Sequence, residues 1–89
     1  MLRITKVAED PGSVTLKVEG RVVSDWVQVL EQECLRSLGR NQEVVLDFAD
    51  VVFVDGRGIS MLTRIKSRAV QIVNTSGLLE DLLREAAGR

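Results

Sequence analysis

The chain has 89 residues, a net charge of −1, and 45% hydrophobic and 28% charged residues. That describes one small domain, residues 1–89, whose charge balance gives no global attraction to nucleic acid or to an anionic membrane. There is no His, no Tyr and a single Cys, so the commonest general base, the commonest metal ligand and any internal disulfide are excluded.

Leu2 to Glu9 alternates apolar and polar residues and predicts a strand. Asp10-Pro11-Gly12-Ser13 is a turn, because proline presets φ and glycine accepts a positive one. Val14 to Gly20 predicts a second strand, with Val14, Leu16 and Val18 on one face. The two should pair as an antiparallel hairpin. Gly20 to Val23 leads out of it.

Ser24-Asp25 offers helix caps, and Asp25 with Gln28 has capping-box spacing. Val27, Leu30, Cys34 and Leu38 form the inner stripe of a helix that should stop at Gly39. Glu31, Glu33 and Arg36 fall on its wet side. Cys34 on the inner stripe reads as a small buried hydrophobe. Trp26 is either a lid on the core or a contact residue.

Glu43 to Val54 is almost unbroken apolar, which predicts a strand buried on both faces, with Phe48 and Phe53 in the core. It ends at Asp55-Gly56-Arg57-Gly58, where two glycines allow a sharp turn. Ile59, Leu62 and Ile65 then follow at helical spacing. A loop at the carboxyl end of a strand is where function tends to sit in open α/β sheets. Ala69 to Asn74 predicts a short strand. Thr75-Ser76 caps a last helix with an apolar stripe of Leu78, Leu79, Leu82, Leu83 and Ala86. That stripe is core, or in part the contact of a homodimer. After the hairpin, strands and helices alternate, so those strands should be parallel. The expected fold is α/β: a four-stranded mixed sheet with an antiparallel N-terminal hairpin and three helices.

Several features resemble a STAS domain, the fold of bacterial anti-sigma-factor antagonists and of the cytoplasmic tails of sulfate transporters. They are Val18-Glu19-Gly20-Arg21-Val22, Val44-Val45-Leu46-Asp47-Phe48, Phe53-Val54-Asp55-Gly56-Arg57-Gly58-Ile59, and Ile72-Val73-Asn74-Thr75-Ser76 before a Leu-Leu helix. The resemblance spans nearly the whole chain. It implies a non-enzymatic module that binds a regulatory protein, an anti-sigma factor or kinase-like ATPase. In the phosphorylated antagonists the residue after the loop Asp is a Ser or Thr that accepts phosphate. Here Asp55 and Gly58 match, but the acceptor position is Gly56 and Arg57 follows. Phosphorylation at the family position is therefore impossible, and Ser60 is the nearest substitute in sequence. A STAS-type subunit of an ABC lipid transporter is a further reading by resemblance.

Asp55, Gly56, Arg57, Gly58, Ser60, Met61 and Arg64 form the expected partner-binding surface. The bland alternative is a plain glycine turn in which Asp55 caps the helix and Arg57 is solvated. Free N–H groups at the helix start also admit a small ligand or nucleotide, but Met61 stands where a third glycine would complete a fingerprint. Arg57, Arg64, Lys66 and Arg68 make Gly56–Ser76 basic, with no acidic residue. That is either a solvated face or a docking face for an acidic partner. Nucleic-acid binding is disfavoured because stacking aromatics are missing. No nucleophile–base pair and no metal cluster can be assembled, so no enzyme, cofactor or metal is expected. No apolar run reaches the roughly 20 residues a membrane helix needs, and the N-terminus lacks the apolar core of a signal peptide. The expected location is cytoplasmic.

Overall fold

The computed structural model describes residues 1–87. Its elements are β1 (Leu2–Asp10), β2 (Ser13–Val22), α1 (Asp25–Gly39), β3 (Glu43–Val54), α2 (Gly56–Ile65), β4 (Val70–Val73) and α3 (Gly77–Ala87). The sheet order is β1-β2-β3-β4. β1 runs antiparallel to β2, while β2–β3 and β3–β4 are parallel. The expected mixed four-stranded sheet with three helices is the observed one.

The hairpin forms where expected. The Asp10 carboxylate accepts the backbone N–H groups of Gly12 and Ser13, both at 2.8 Å. This side chain helps to close the turn. Gly20 carries φ +100°, and a Cβ there would collide with the Met1 carbonyl. The missing side chain lets β1 begin close against β2, where Arg21 N–H donates to Met1 O at 3.1 Å.

The core lies on one face of the sheet. Val14, Leu16 and Val18 of β2, Val44, Leu46 and Phe48 of β3, and Val70 of β4 are buried there. Val27, Leu30 and Cys34 of α1, Met61 and Leu62 of α2, and Leu79 and Leu83 of α3 close over them. Each fully buried aliphatic side chain contributes roughly 1.5–3 kcal/mol. The alternate residues, including Thr15, Lys17, Val45, Asp47 and Gln71, lie on the opposite face and are only half-buried or exposed. The expectation that β3 is buried on both faces is therefore corrected. Its first half is buried on one face, and its second half is largely at the surface. Val52 is 73% and Phe53 52% exposed, so Phe53 is not a core residue.

Two register shifts explain the change. Lys17 pairs with Asp47 but Glu19 with Asp50, and Gly20 pairs with Val51 but Arg21 with Phe53. Each shift inserts one extra residue into β3, bends the strand and breaks the alternation. Helix ends also differ from expectation. Ser24, not Asp25, precedes α1, and no side chain caps that end. The carboxyl end falls where expected, with Gly39 the last helical residue, and Asn41 beyond it takes a positive φ. In α3, Leu79 and Leu83 are buried, whereas Leu78 and Leu82 are 72% and 40% exposed, so its apolar stripe is wider than the core it covers.

Candidate functional site

A single residue, Asp55, separates β3 from α2. The expected glycine loop is absent because the helix starts at Gly56. The Asp55 backbone N–H donates to Val22 O at 3.1 Å and fixes the strand end against β2. Asp55 Oδ1 accepts the Gly58 N–H at 2.8 Å, the N-cap bond of α2. Its Oδ2 accepts the Ser24 N–H at 2.9 Å, at the start of α1. One carboxylate thus ties together the amino ends of two helices that lie 31 residues apart in the chain. The Ser24 and Gly58 N–H groups, with Arg57 nearby, hold its carboxyl below the usual carboxylate range.

Ser24 has φ 51° and ψ −129°, a left-handed backbone that a non-glycine residue adopts at a cost. That conformation turns its N–H toward Asp55 and sends the chain into α1. Trp26 follows and is 39% exposed.

The expected contact residues do not all share one surface. Gly56, Arg57 and Ser60 are exposed at the start of α2, and Asp55 is half-buried beneath them. Arg57 makes no salt bridge among the described residues. Met61 is 1% exposed and belongs to the core, so its placement on the outer face is corrected. Gly58 is also buried. A Cβ there would sit 2.5 Å from Val54 Cγ1 and 2.8 Å from the Val22 carbonyl oxygen. Its glycine is required by close packing of α2 on the sheet, not by the turn, and it offers nothing to a partner. Arg64 reaches across to α1 and pairs with Glu31 at 2.7 Å. Glu31, read as a solvated residue, is 22% exposed and holds this bridge. An exposed pair of this kind contributes about 1 kcal/mol or less.

The basic stretch is consequently divided. Arg57 stands at one end of α2, and Lys66 and Arg68 follow the other end, about 15 Å away at 1.5 Å per residue. Arg64 between them is already paired. The helix start is also a poor anion site, because the Asp55 carboxylate occupies it and opposes further negative charge. Cys34 is wholly buried, and its thiol is pushed up to about 12, first by burial and then by Glu33 and Glu31. It has no thiolate character at neutral pH. Among the described residues, no group of three His, Cys, Asp or Glu is arranged to hold a metal ion. No helix among them is long and apolar enough to cross a membrane.

Two features had no signal in the sequence. Ser24 is not a residue type that advertises a positive φ. The apolar run of β3 gave no sign that Val52 and Phe53 are exposed.

No family model and no curated protein matches the chain. Among solved structures, the chain is similar to the anti-sigma factor antagonist SpoIIAA in its unphosphorylated form. The TM-score is 0.71 at 14% identity, over 92% of this chain and 82% of that one. At such identity the likeness speaks to architecture alone, and on that level the resemblance read from the sequence holds: the chain has the STAS fold.

Proposed function

We propose that this chain is a non-enzymatic interaction module that acts, like an anti-sigma-factor antagonist, by binding a regulatory protein in the cytoplasm. The partner class is an anti-sigma factor or a kinase-like ATPase. The contact surface is the exposed start of α2, with Gly56, Arg57 and Ser60, extended by Trp26 at the start of α1. Asp55 positions this surface from below, and Arg64 steadies it through Glu31.

One observation carries the reading. The Asp55 carboxylate bonds Ser24 and Gly58 together, so Asp55 and both helix starts form one preformed platform. A preformed surface loses little entropy on binding. It presents an arginine and a tryptophan, residue types enriched at binding hot spots. The nucleotide reading is weaker here, since the same carboxylate fills the helix start.

The test is capture from a lysate of the native host with wild-type and Arg57→Asp baits, followed by mass spectrometry. A regulatory protein retained by the wild type and lost by the variant is expected. Equal retention by both baits, or no specific partner, would overturn the reading.

A further inference from the structure

The two N–H groups that Asp55 accepts are held against different odds. The Gly58 N–H, at 2.8 Å, follows an ordinary cap, because Asp55 itself has extended backbone angles at the N-cap position of α2. The Ser24 N–H, at 2.9 Å, is turned toward Asp55 by φ 51° and ψ −129°. A residue with a side chain adopts that region at a cost, and glycine does not. The cost of such a backbone and the worth of one hydrogen bond to a charged group are similar in size, so the two nearly balance.

A second bond at the same place is left unmade. Serine is among the best N-cap residues, and Ser24 holds the N-cap position of α1, yet its hydroxyl caps nothing. A capping serine has extended backbone angles, which bring its oxygen over the first turn. The conformation that turns the Ser24 N–H to Asp55 is not that one. Instead, Trp26 N–H donates to Val23 O at 3.0 Å and Val27 N–H to Ser24 O at 3.2 Å. A capping hydroxyl would take one of these two donors. The start of α1 thus has two arrangements, each with a bond that the other lacks.

We infer that Ser24 is a two-position latch at the start of α1. In the closed position, the observed one, its N–H is tied to Asp55 and α1 has no side-chain cap. In the open position the Ser24 backbone relaxes to extended angles, the Asp55 bond is released and the hydroxyl caps α1. The Gly58 cap stays in both. Trp26, two residues beyond Ser24, moves with this first turn, so opening withdraws it from the platform. A partner that needs Trp26 and Arg57 together binds the closed form alone, and its apparent affinity scales with the closed fraction. That consequence rests on the platform proposed above, whereas the latch itself does not.

The test compares wild type, Ser24→Gly and Ser24→Ala and needs no partner. It reads amide hydrogen exchange, each rate corrected for its intrinsic value, and the fluorescence of Trp26, the chain's single tryptophan. In the wild type the residue-24 amide should be at least about tenfold less protected than the Gly58 amide, because it opens locally. Ser24→Gly frees the closed form of strain, and Ser24→Ala deprives the open form of its cap. Both should raise protection at residue 24 at least about threefold by shifting the population toward closed. Both should leave Gly58 unchanged and shift the Trp26 emission in the same direction. Equal protection of the two amides in the wild type would overturn the latch. So would unchanged protection at residue 24 in Ser24→Gly. Unchanged or lower protection in Ser24→Ala would also overturn it, by showing strain without an alternative cap. A parallel rise at Gly58 would do the same, by making the effect one of global stability. Ser24 is exposed, so both variants should fold, and melting curves check this. Partner capture plays no part in these readings, so the latch and the Arg57 interface fail separately.

Discussion

Asp55 accepts the Ser24 N–H at 2.9 Å, and this bond joins the start of α1 to the start of α2. The same carboxylate caps α2 through Gly58. Its lowered pKa sets the sign of a pH effect. A group with a depressed folded pKa stabilises the fold fully above its unfolded value, about 3.9 for Asp. That contribution is lost as pH falls through the folded pKa. Glu9, Asp10 and Asp47 are shifted the same way, chiefly by the Gln42 side chain, the Gly12 N–H and the Asn74 side chain respectively. Acid should therefore destabilise the protein. Asp55→Ala should melt at a lower temperature near neutral pH and lose less stability on acidification. Melts taken between about pH 6 and pH 3 check this, and parallel profiles for wild type and variant would contradict it.

Gly58 tests how closely α2 lies on the sheet. Gly58→Ala places a methyl group against Val54 and the Val22 carbonyl, and the carbonyl cannot rotate away. Overpacking of this kind costs about 1–3 kcal/mol. The gain in helix propensity is about 1 kcal/mol at most and does not offset it. Gly56 has no atom within 4 Å of its would-be Cβ, so Gly56→Ala should be neutral or stabilising. Urea denaturation of the two variants separates them. Equal midpoints would mean that α2 stands further from β2 than described.

The order of elements was legible because period-two and helical patterns alternate along the chain. The cap at Asp55 was legible too, since Asp is a strong N-cap type. Met61 was misplaced because the helix was phased on Ile59, Leu62 and Ile65. The buried residues of α2 are Gly58, Met61 and Leu62, and Ile59 and Ile65 pack half-buried beside them. A glycine carries no hydrophobic signal, so nothing in the sequence pairs Met61 with Gly58 on the buried side. The exposure of Val52 and Phe53 had a different cause. An apolar run does not reveal where its neighbour strand stops, and β4 ends opposite Asp47.

The loop itself has no hydroxyl to modify. Asp55, Gly56, Arg57 and Gly58 offer no phosphoacceptor of the Ser/Thr type. Ser60 is exposed in the first turns of α2 and is the substitute in sequence. Incubation with a cognate kinase should leave the intact mass of the protein unchanged. Peptide mapping that finds stoichiometric phosphate on Ser60 would show that a phosphate switch has survived at a shifted position.

Arg57 decides whether the start of α2 is an interface or only a helix end. Where a relative of this fold toggles its loop with phosphate, the added charge is about −1.5 to −2 near neutral pH. Here the corresponding surface carries a fixed positive charge without a salt bridge among the described residues. An acidic patch on the partner would complement it. Loss of one rim charge pair costs about 1 kcal/mol or less, whereas opposed like charges cost several. Arg57→Ala should therefore weaken binding mildly and Arg57→Asp strongly. The gap should narrow at high salt, because exposed charges are screened beyond about 8–10 Å at physiological ionic strength. Folding should change by no more than about 0.5 kcal/mol, as the side chain is exposed and buries nothing. In Arg57→Asp the dipole of α2 favours the new carboxylate while the Asp55 carboxylate opposes it, so an unchanged melt is what makes lost affinity report the interface and not a damaged helix. Calorimetric titration of both variants at two salt concentrations, with melts as a control, reads all of these. Equal affinity of wild type and Arg57→Asp would remove Arg57 from the interface and leave Asp55 as a helix cap alone.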